Sequence, residues 1–255
     1  MDATRADAAG GFAPDHPWDR NFFLVMAGLI WLGILMGFGG DIVHHIQSHA
    51  SPYPPIVHFH AVAFVGWLVL FTVQIGLIRS RRHDTHKKLG LTMIGLAVLM
   101  AVLGPATAMI VQRIDLSGPH PDPTAPAFLA VQFTDILAFV GLISAAVLLR
   151  HIPSAHKRLV LLATAYISDA GFARWLGEPI FGLVGNTMWT PYTELYLASD
   201  ILVLLVGLYD LVTRRRLHPA WLVGAAWIAL NHAMAIYGLA SPAWLAFATH
   251  LLGHG

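Results

Sequence analysis

Three short basic turns punctuate this chain, and each lies between two long apolar runs. The first is Arg79-Ser-Arg-Arg-His83-Asp-Thr-His86-Lys-Lys-Leu-Gly90. The second is Arg150-His151-Ile-Pro-Ser-Ala-His156-Lys-Arg-Leu159, and the third is Arg214-Arg-Arg-Leu-His218-Pro219. About 20 apolar residues cross the ~30 Å hydrocarbon core of a bilayer as one helix, because a helix satisfies its own backbone there. Cations are excluded from the middle of such runs, since a charge at the bilayer centre costs roughly 3 kcal/mol or more. The pattern therefore predicts an all-α polytopic transmembrane bundle built from hairpins.

Charge placement supports this. Only 11% of the residues are charged, against about 25% in a soluble domain. All but Arg113 and Arg174 of the 15 Lys and Arg residues fall in the three turns or in the N-terminal segment. By the positive-inside bias the turns and the N-terminus face the cytoplasm, which predicts a multi-pass membrane protein. There is no cysteine, which excludes disulfides, iron–sulfur clusters and thiolate metal sites. The only lysines are Lys87, Lys88 and Lys157, all in turns, so a retinal Schiff base is excluded too. No nucleotide-binding loop, hydrolase elbow, kinase motif or nucleic-acid motif is present.

The apolar runs predict seven helices, one lead helix plus three hairpins. They cover about 21–42, 56–78, 89–111, 127–149, 156–175, 191–212 and 219–239, with Asp19 as N-cap of the first. This gives three segments: a disordered cytoplasmic tail over 1–20, with no cleaved signal peptide, a transmembrane domain over 21–240, and a short segment over 241–255. The last is too short to cross again and reads as an interfacial helix held by Trp244, with the C-terminus outside. Helix five is expected to be interrupted near its outer end by Gly177-Glu-Pro179 and by Gly182 to Gly185.

Ionisable residues inside spans are rare and usually functional. Asp135, Asp169 and Asp200, with Asn231 and His232, fall in the outer half of their helices. Three carboxyls with only Arg174 as a nearby cation repel one another, unless they hold protons, a metal or a protonated histidine. They are the candidate catalytic or proton-relay groups. Arg174 and Glu178, one turn apart, are expected to pair, and Asp210 to sit at a helix end facing water. His60, Phe64, Trp67, Phe71 and Gln74 recur at spacings of four and three, which makes one stripe facing the bundle. His60 and His232 are the candidate cofactor ligands. A second constellation lies at the outer surface. His44, His45, His49 and His58 are candidate metal ligands, with Asp41, His120, His250 and His254 near them. The four-residue spacing of His45 and His49, and of His250 and His254, suits zinc, copper or nickel on a helical face. The turn histidines His86, His156 and His218 sit at helix N-termini, where they cap, set topology or hold an anion.

His58-Phe-His60, Gly66-Trp67, Gln74, the His86-Lys-Lys-Leu-Gly90 and His156-Lys-Arg-Leu turns, Tyr209-Asp210 to His218-Pro219 and the closing Ala243-Trp244-Leu245 resemble a family of uncharacterised bacterial multi-pass membrane proteins. The resemblance covers roughly residues 57–252 and implies no activity. There is also a faint likeness to cytochrome b561-type bundles, which place paired histidines deep in adjacent helices. Here only His60 and His232 stand in comparable positions.

The leading expectation is a redox or metal-centre protein. His60 and His232 would ligate b-type haem or a transition metal (zinc, copper or iron), the three aspartates would tune it or relay protons, and quinone or a respiratory-chain component would be its partner in the bilayer. The alternatives are a proton-coupled small-solute transporter, a metal-dependent membrane hydrolase and a non-catalytic assembly subunit.

Overall fold

A computed structural model describes residue 12 and residues 15–49 and 51–253. Among these residues there is no strand. The described residues form ten helices in the order α1 (Asp19–Gln47), α2 (Pro55–Arg79), α3 (His83–Leu116), α4 (Leu129–Leu148), α5 (Pro153–Tyr166), α6 (Asp169–Val184), α7 (Thr190–Leu195), α8 (Leu197–Arg214), α9 (Pro219–Ala240) and α10 (Pro242–Leu251). A 3-10 turn, Ala125–Phe128, leads into α4. In α1, α2, α3, the Ala125–Leu148 stretch and α9, length and hydropathy suffice to cross a membrane. The bent pair α5 and α6 makes a sixth such unit. The helix expected as the sixth of seven is α8. It carries Asp200, Asp210 and Arg214 in 18 residues, so composition alone does not place it with the others.

Several elements differ from the sequence expectation. α1 continues through Asp41, His44 and His45 to Gln47, because nothing before Pro52 breaks the helix. α3 starts at His83 inside the basic turn. The expected single fifth helix is two. α5 ends at Tyr166, α6 begins at Asp169, and the axes bend by 49° between them. Gly177, Pro179 and Gly182, expected to interrupt it, lie within α6, which continues to Val184 and is ended by Gly185 at φ 73°.

Large apolar side chains line the outside of the bundle. Leu35, Val62, Val98, Val102, Leu148 and Val223 are all more than 60% exposed. In water such a surface would drive aggregation, whereas in lipid it is the solvated state. Cohesion inside therefore comes from close packing and hydrogen bonds. Indole N–H groups tie helices together: Trp31 Nε1 donates to Thr72 Oγ1 (2.9 Å), Trp67 to Thr164 Oγ1 (3.2 Å) and Trp221 to the Val203 carbonyl (2.9 Å). Trp67, Phe71 and Gln74 of the α2 stripe are buried, and Gln74 Nε2 donates to the His86 carbonyl (3.1 Å). α10 is anchored through Trp244 Nε1 to the Ala127 carbonyl (3.1 Å). In the loop before the 3-10 turn, Asp122 accepts from the Thr124 hydroxyl (2.7 Å) and amide (2.8 Å), which hold its carboxyl below the usual range.

α1 meets α6 backbone to backbone. A Cβ at Gly37 would lie 2.0 Å from the Gly171 carbonyl oxygen, and one at Gly33 would lie 2.4 Å from the Phe172 ring. Gly33 and Gly37 are four apart, the spacing that lets two membrane helices touch.

The three basic turns and the start of α1 gather at one end. Asp19, expected as a cap, is a hub instead. It accepts from Lys157 Nζ (2.7 Å), Arg214 Nη2 (2.9 Å) and the Tyr209 hydroxyl (2.5 Å). Asp210 does not face water. It is fully buried and takes a two-pronged bond from Arg158, which is 1% exposed; Arg158 Nε donates to Asp210 Oδ2 at 2.8 Å. Arg158 Nη1 also donates to the Ser154 carbonyl (2.7 Å). His218 is buried as an N-cap: its Nδ1 accepts from the Ala220 amide (3.0 Å). His156 Nδ1 lies 2.9 Å from the Ala146 carbonyl, and the His86 ring stands edge-on to His156. Of the 1–20 tail, Phe12 is buried here and Asp15 lies 3.6 Å from Lys157; residues 1–11, 13 and 14 lie outside the described residues.

Two predictions follow from this packing. Gly37→Val should destabilise the detergent-solubilised protein by about 1–3 kcal/mol or more, read as a lower midpoint of thermal unfolding. Gly28→Val on the same helix, where a Cβ meets nothing within 4 Å, should change it little. Asp210→Leu or Arg158→Met alone should cost about 3–5 kcal/mol, because each strands a buried charge, while the double variant should recover most of the loss.

Candidate functional site

Counted from the basic end, four positions fall at one height. Asp135 on α4, Tyr166 at the end of α5, Asp200 on α8 and His232 on α9 each lie about 13–14 residues in, or roughly 20 Å by helical rise. The break between α5 and α6 occurs at this level. Ser168 precedes α6 and Asp169 opens it, so Asp169 sits where unpaired amides and the positive end of the helix dipole are found. Its Oδ1 accepts from the Ala170 amide (2.5 Å).

The side chains converge. The carboxyl groups of Asp135 and Asp169 lie side by side, and the Tyr166 hydroxyl donates to Asp135 Oδ1 (3.2 Å). Tyr192 on α7 donates to Asp200 Oδ2 (2.8 Å), and His232 Nδ1 lies 3.5 Å from the same oxygen. The His232 ring stacks on Tyr196 at 3.9 Å and faces Tyr166 at 5.2 Å. His232 thus lies against both the Tyr166 and Tyr196 rings, and the buried Tyr196 lies within electrostatic reach of all three aspartates. The result is one cluster of three carboxyls, three phenols and an imidazole, drawn from α4 to α9. The aspartates and His232 were visible in the sequence. The tyrosines were not singled out, although Tyr192 and Tyr196, four residues apart just before Asp200, form a pattern that the sequence does contain.

Several polar atoms in this region are shielded from solvent and unbonded: Asp169 Oδ2, His232 Nε2 and Asn231 Oδ1. The Tyr196 hydroxyl is buried as well, with Thr134 as its side-chain neighbour. In most proteins such atoms are satisfied, so a cluster of them at one level is where a ligand, a proton or an ion would be accommodated.

The other candidates lie apart. His60 stacks on Phe64 (4.0 Å) and lies against the Leu103 backbone of α3. No hydrogen bond, ion pair or ring contact joins it to His232 among the described residues. Arg174 does not pair with Glu178, which is exposed. It reaches Asp41 (3.4 Å) across to α1 and stands over the Phe38 ring. His44, His49 and His58 are exposed, and His45 stacks on Tyr53 (3.9 Å). The spacing argument for His45 and His49 does not hold, because α1 ends at Gln47 and His49 turns to φ 52° beyond it. His254 lies outside the described residues. Among the described residues, no three His, Asp or Glu side chains are gathered so as to hold a metal ion.

Crowding Asp135 against Asp169 without a cation raises the energy of the folded protein, a cost commonly accepted at functional sites. Asp135→Asn should therefore leave the thermal midpoint unchanged or raise it, by about 1–2 kcal/mol in stability. The Asp210 substitutions at the other end should do the opposite. A clear loss of stability in Asp135→Asn would show the pair to be structural.

No protein-family model, curated protein or solved structure matches the chain.

Proposed function

We propose that this is a multi-pass membrane carrier that exchanges protons for a small organic cation at the carboxyl–tyrosine–histidine site. The observation that carries the reading is the broken helix: Tyr166 closes α5, Asp169 opens α6, and both face the same acidic cluster. Discontinuous helices with unsatisfied ends near mid-membrane are a recurrent way of binding solutes and coupling ions in carriers. The chemistry selects the solute class. Three carboxyls favour a positive charge, and the rings of Tyr166, Tyr192 and Tyr196 offer faces to a cationic nitrogen. The Asp135–Asp169 pair is the proton-exchanging group, since protonation and cation binding are alternative ways to relieve its repulsion. The reading takes seven crossings, with α5 and α6 as one span and α8 as another. It places the basic turns and the N-terminus in the cytoplasm of a bacterial inner membrane.

One observation favours a second reading, a metal or haem redox centre. His232 has Nδ1 towards Asp200 and Nε2 buried and free, the disposition of a ligating imidazole oriented by a carboxylate. His60 is the missing partner in that reading, and it lies on a different wall. A Soret band or stoichiometric metal in the purified protein would favour this alternative.

The carrier is tested in proteoliposomes with an entrapped pH dye. An outward-to-inward gradient of choline or tetramethylammonium should drive proton exit in the wild type. Asp169→Asn should abolish it while eluting as the same monodisperse species. Equal proton movement in the two proteins would overturn the role of Asp169, and no movement with any amine tested would overturn the carrier.

A further inference from the structure

At the basic end, away from the acidic site, a cavity of about 500 Å3 lies between α4, α5 and the start of α9. Its walls are almost entirely apolar, with Leu149, Leu159, Leu217 and Val223 among them. One arginine, Arg216, is among its lining residues. Val223 is 70% exposed, so the cavity opens sideways, on the surface the bundle presents to lipid. Phe12 forms the inner wall. It is buried, packs edge-on to His218 at 4.6 Å, and lies under the guanidiniums of Arg158 (4.8 Å) and Arg216 (5.4 Å).

Arg216 is the unusual feature. Its Nη2 is shielded from solvent and makes no hydrogen bond, whereas the neighbouring Arg158 is fully engaged by Asp210 and the Ser154 carbonyl. Among the described residues no carboxylate answers Arg216, which stands over the Phe12 ring. An apolar slot that opens to lipid and ends in one uncommitted guanidinium at the helix ends matches one occupant in both its parts. We infer that it binds a phospholipid with an anionic headgroup, the acyl chain lying along Leu149, Leu159 and Val223 and the phosphate on Arg216. The planar fork of arginine donates two parallel hydrogen bonds to a phosphate, and anionic headgroups concentrate basic residues at this depth. Phe12 then works as a stop that separates the lipid from the buried Arg158–Asp210 pair.

The test is native mass spectrometry of the full chain in detergent, with dioleoylphosphatidylglycerol and dioleoylphosphatidylcholine added together. The wild type should retain phosphatidylglycerol over phosphatidylcholine by about five-fold, the weight of one arginine at a membrane surface. Arg216→Gln should bring the ratio near one. Val223→Trp, which fills the acyl slot from its rim, should lower retention of both lipids while the thermal midpoint stays near that of the wild type. Inorganic phosphate should not displace the lipid; displacement would show a headgroup site without an acyl subsite and overturn the assignment. Equal phosphatidylglycerol preference in wild type and Arg216→Gln would overturn it as well.

Discussion

Inside a bilayer an ionisable side chain has no water to fall back on, so the bundle itself must answer each charge. At its basic end this protein does so for Asp210 and Asp19. Arg158 gives Asp210 two donors, and Lys157, Arg214 and Tyr209 converge on Asp19. These contacts join α1, α5 and α8, elements far apart in sequence, and they fix the geometry of that end. About 20 Å further along the same helices the rule is relaxed. Asp135, Asp169 and Asp200 stand among tyrosines and one histidine, with no lysine or arginine of the described residues in contact. At one end the carboxylates are paired with cations, and at the other they keep polar capacity in reserve. That contrast is the physical basis for locating function at the second level.

The break between α5 and α6 follows from the same constraint. A continuous helix would carry Asp169 past the site with its backbone amides already bonded. Ending α5 at Tyr166 and restarting at Asp169 leaves the Ala170 amide to meet a carboxyl oxygen. α6 is held elsewhere, against α1, by the contact of Gly33 and Gly37 with Gly171 and Phe172. α5 is held by the buried Arg158–Asp210 pair. Each half of the broken span is thus fixed to a different neighbour. In the proposed carrier this allows the halves to move relative to one another about Ile167 and Ser168.

Much of this was legible beforehand. Apolar runs, basic turns and the α2 stripe are one-dimensional signals, and they located the helices, the common end of the turns and the aspartates with His232. What escaped was pairing across the bundle. Asp210 looks like a solvent-facing end residue because helical rise puts it near the interface, and nothing local reveals that Arg158 of another helix covers it. Glu178 sits one turn from Arg174, which suggests a pair, but Asp41 of α1 competes for the same guanidinium across the interface. The spacing of His45 and His49 meant one face only if the helix continued past Gln47. The break at Ile167 has no proline or glycine to announce it. It comes from tertiary packing and polar satisfaction, which no window of sequence contains.

The central claim is that Asp135 and Asp169 act as one proton-exchanging unit within the membrane. Infrared difference spectroscopy of the purified protein, taken between acid and alkaline pH, reads that unit directly through the stretch of a protonated carboxyl. The account predicts such a band in the wild type, removed or shifted in Asp135→Asn and in Asp169→Asn and kept in Asp210→Asn. A wild type without the band, or a band indifferent to both Asp135 and Asp169, would contradict it.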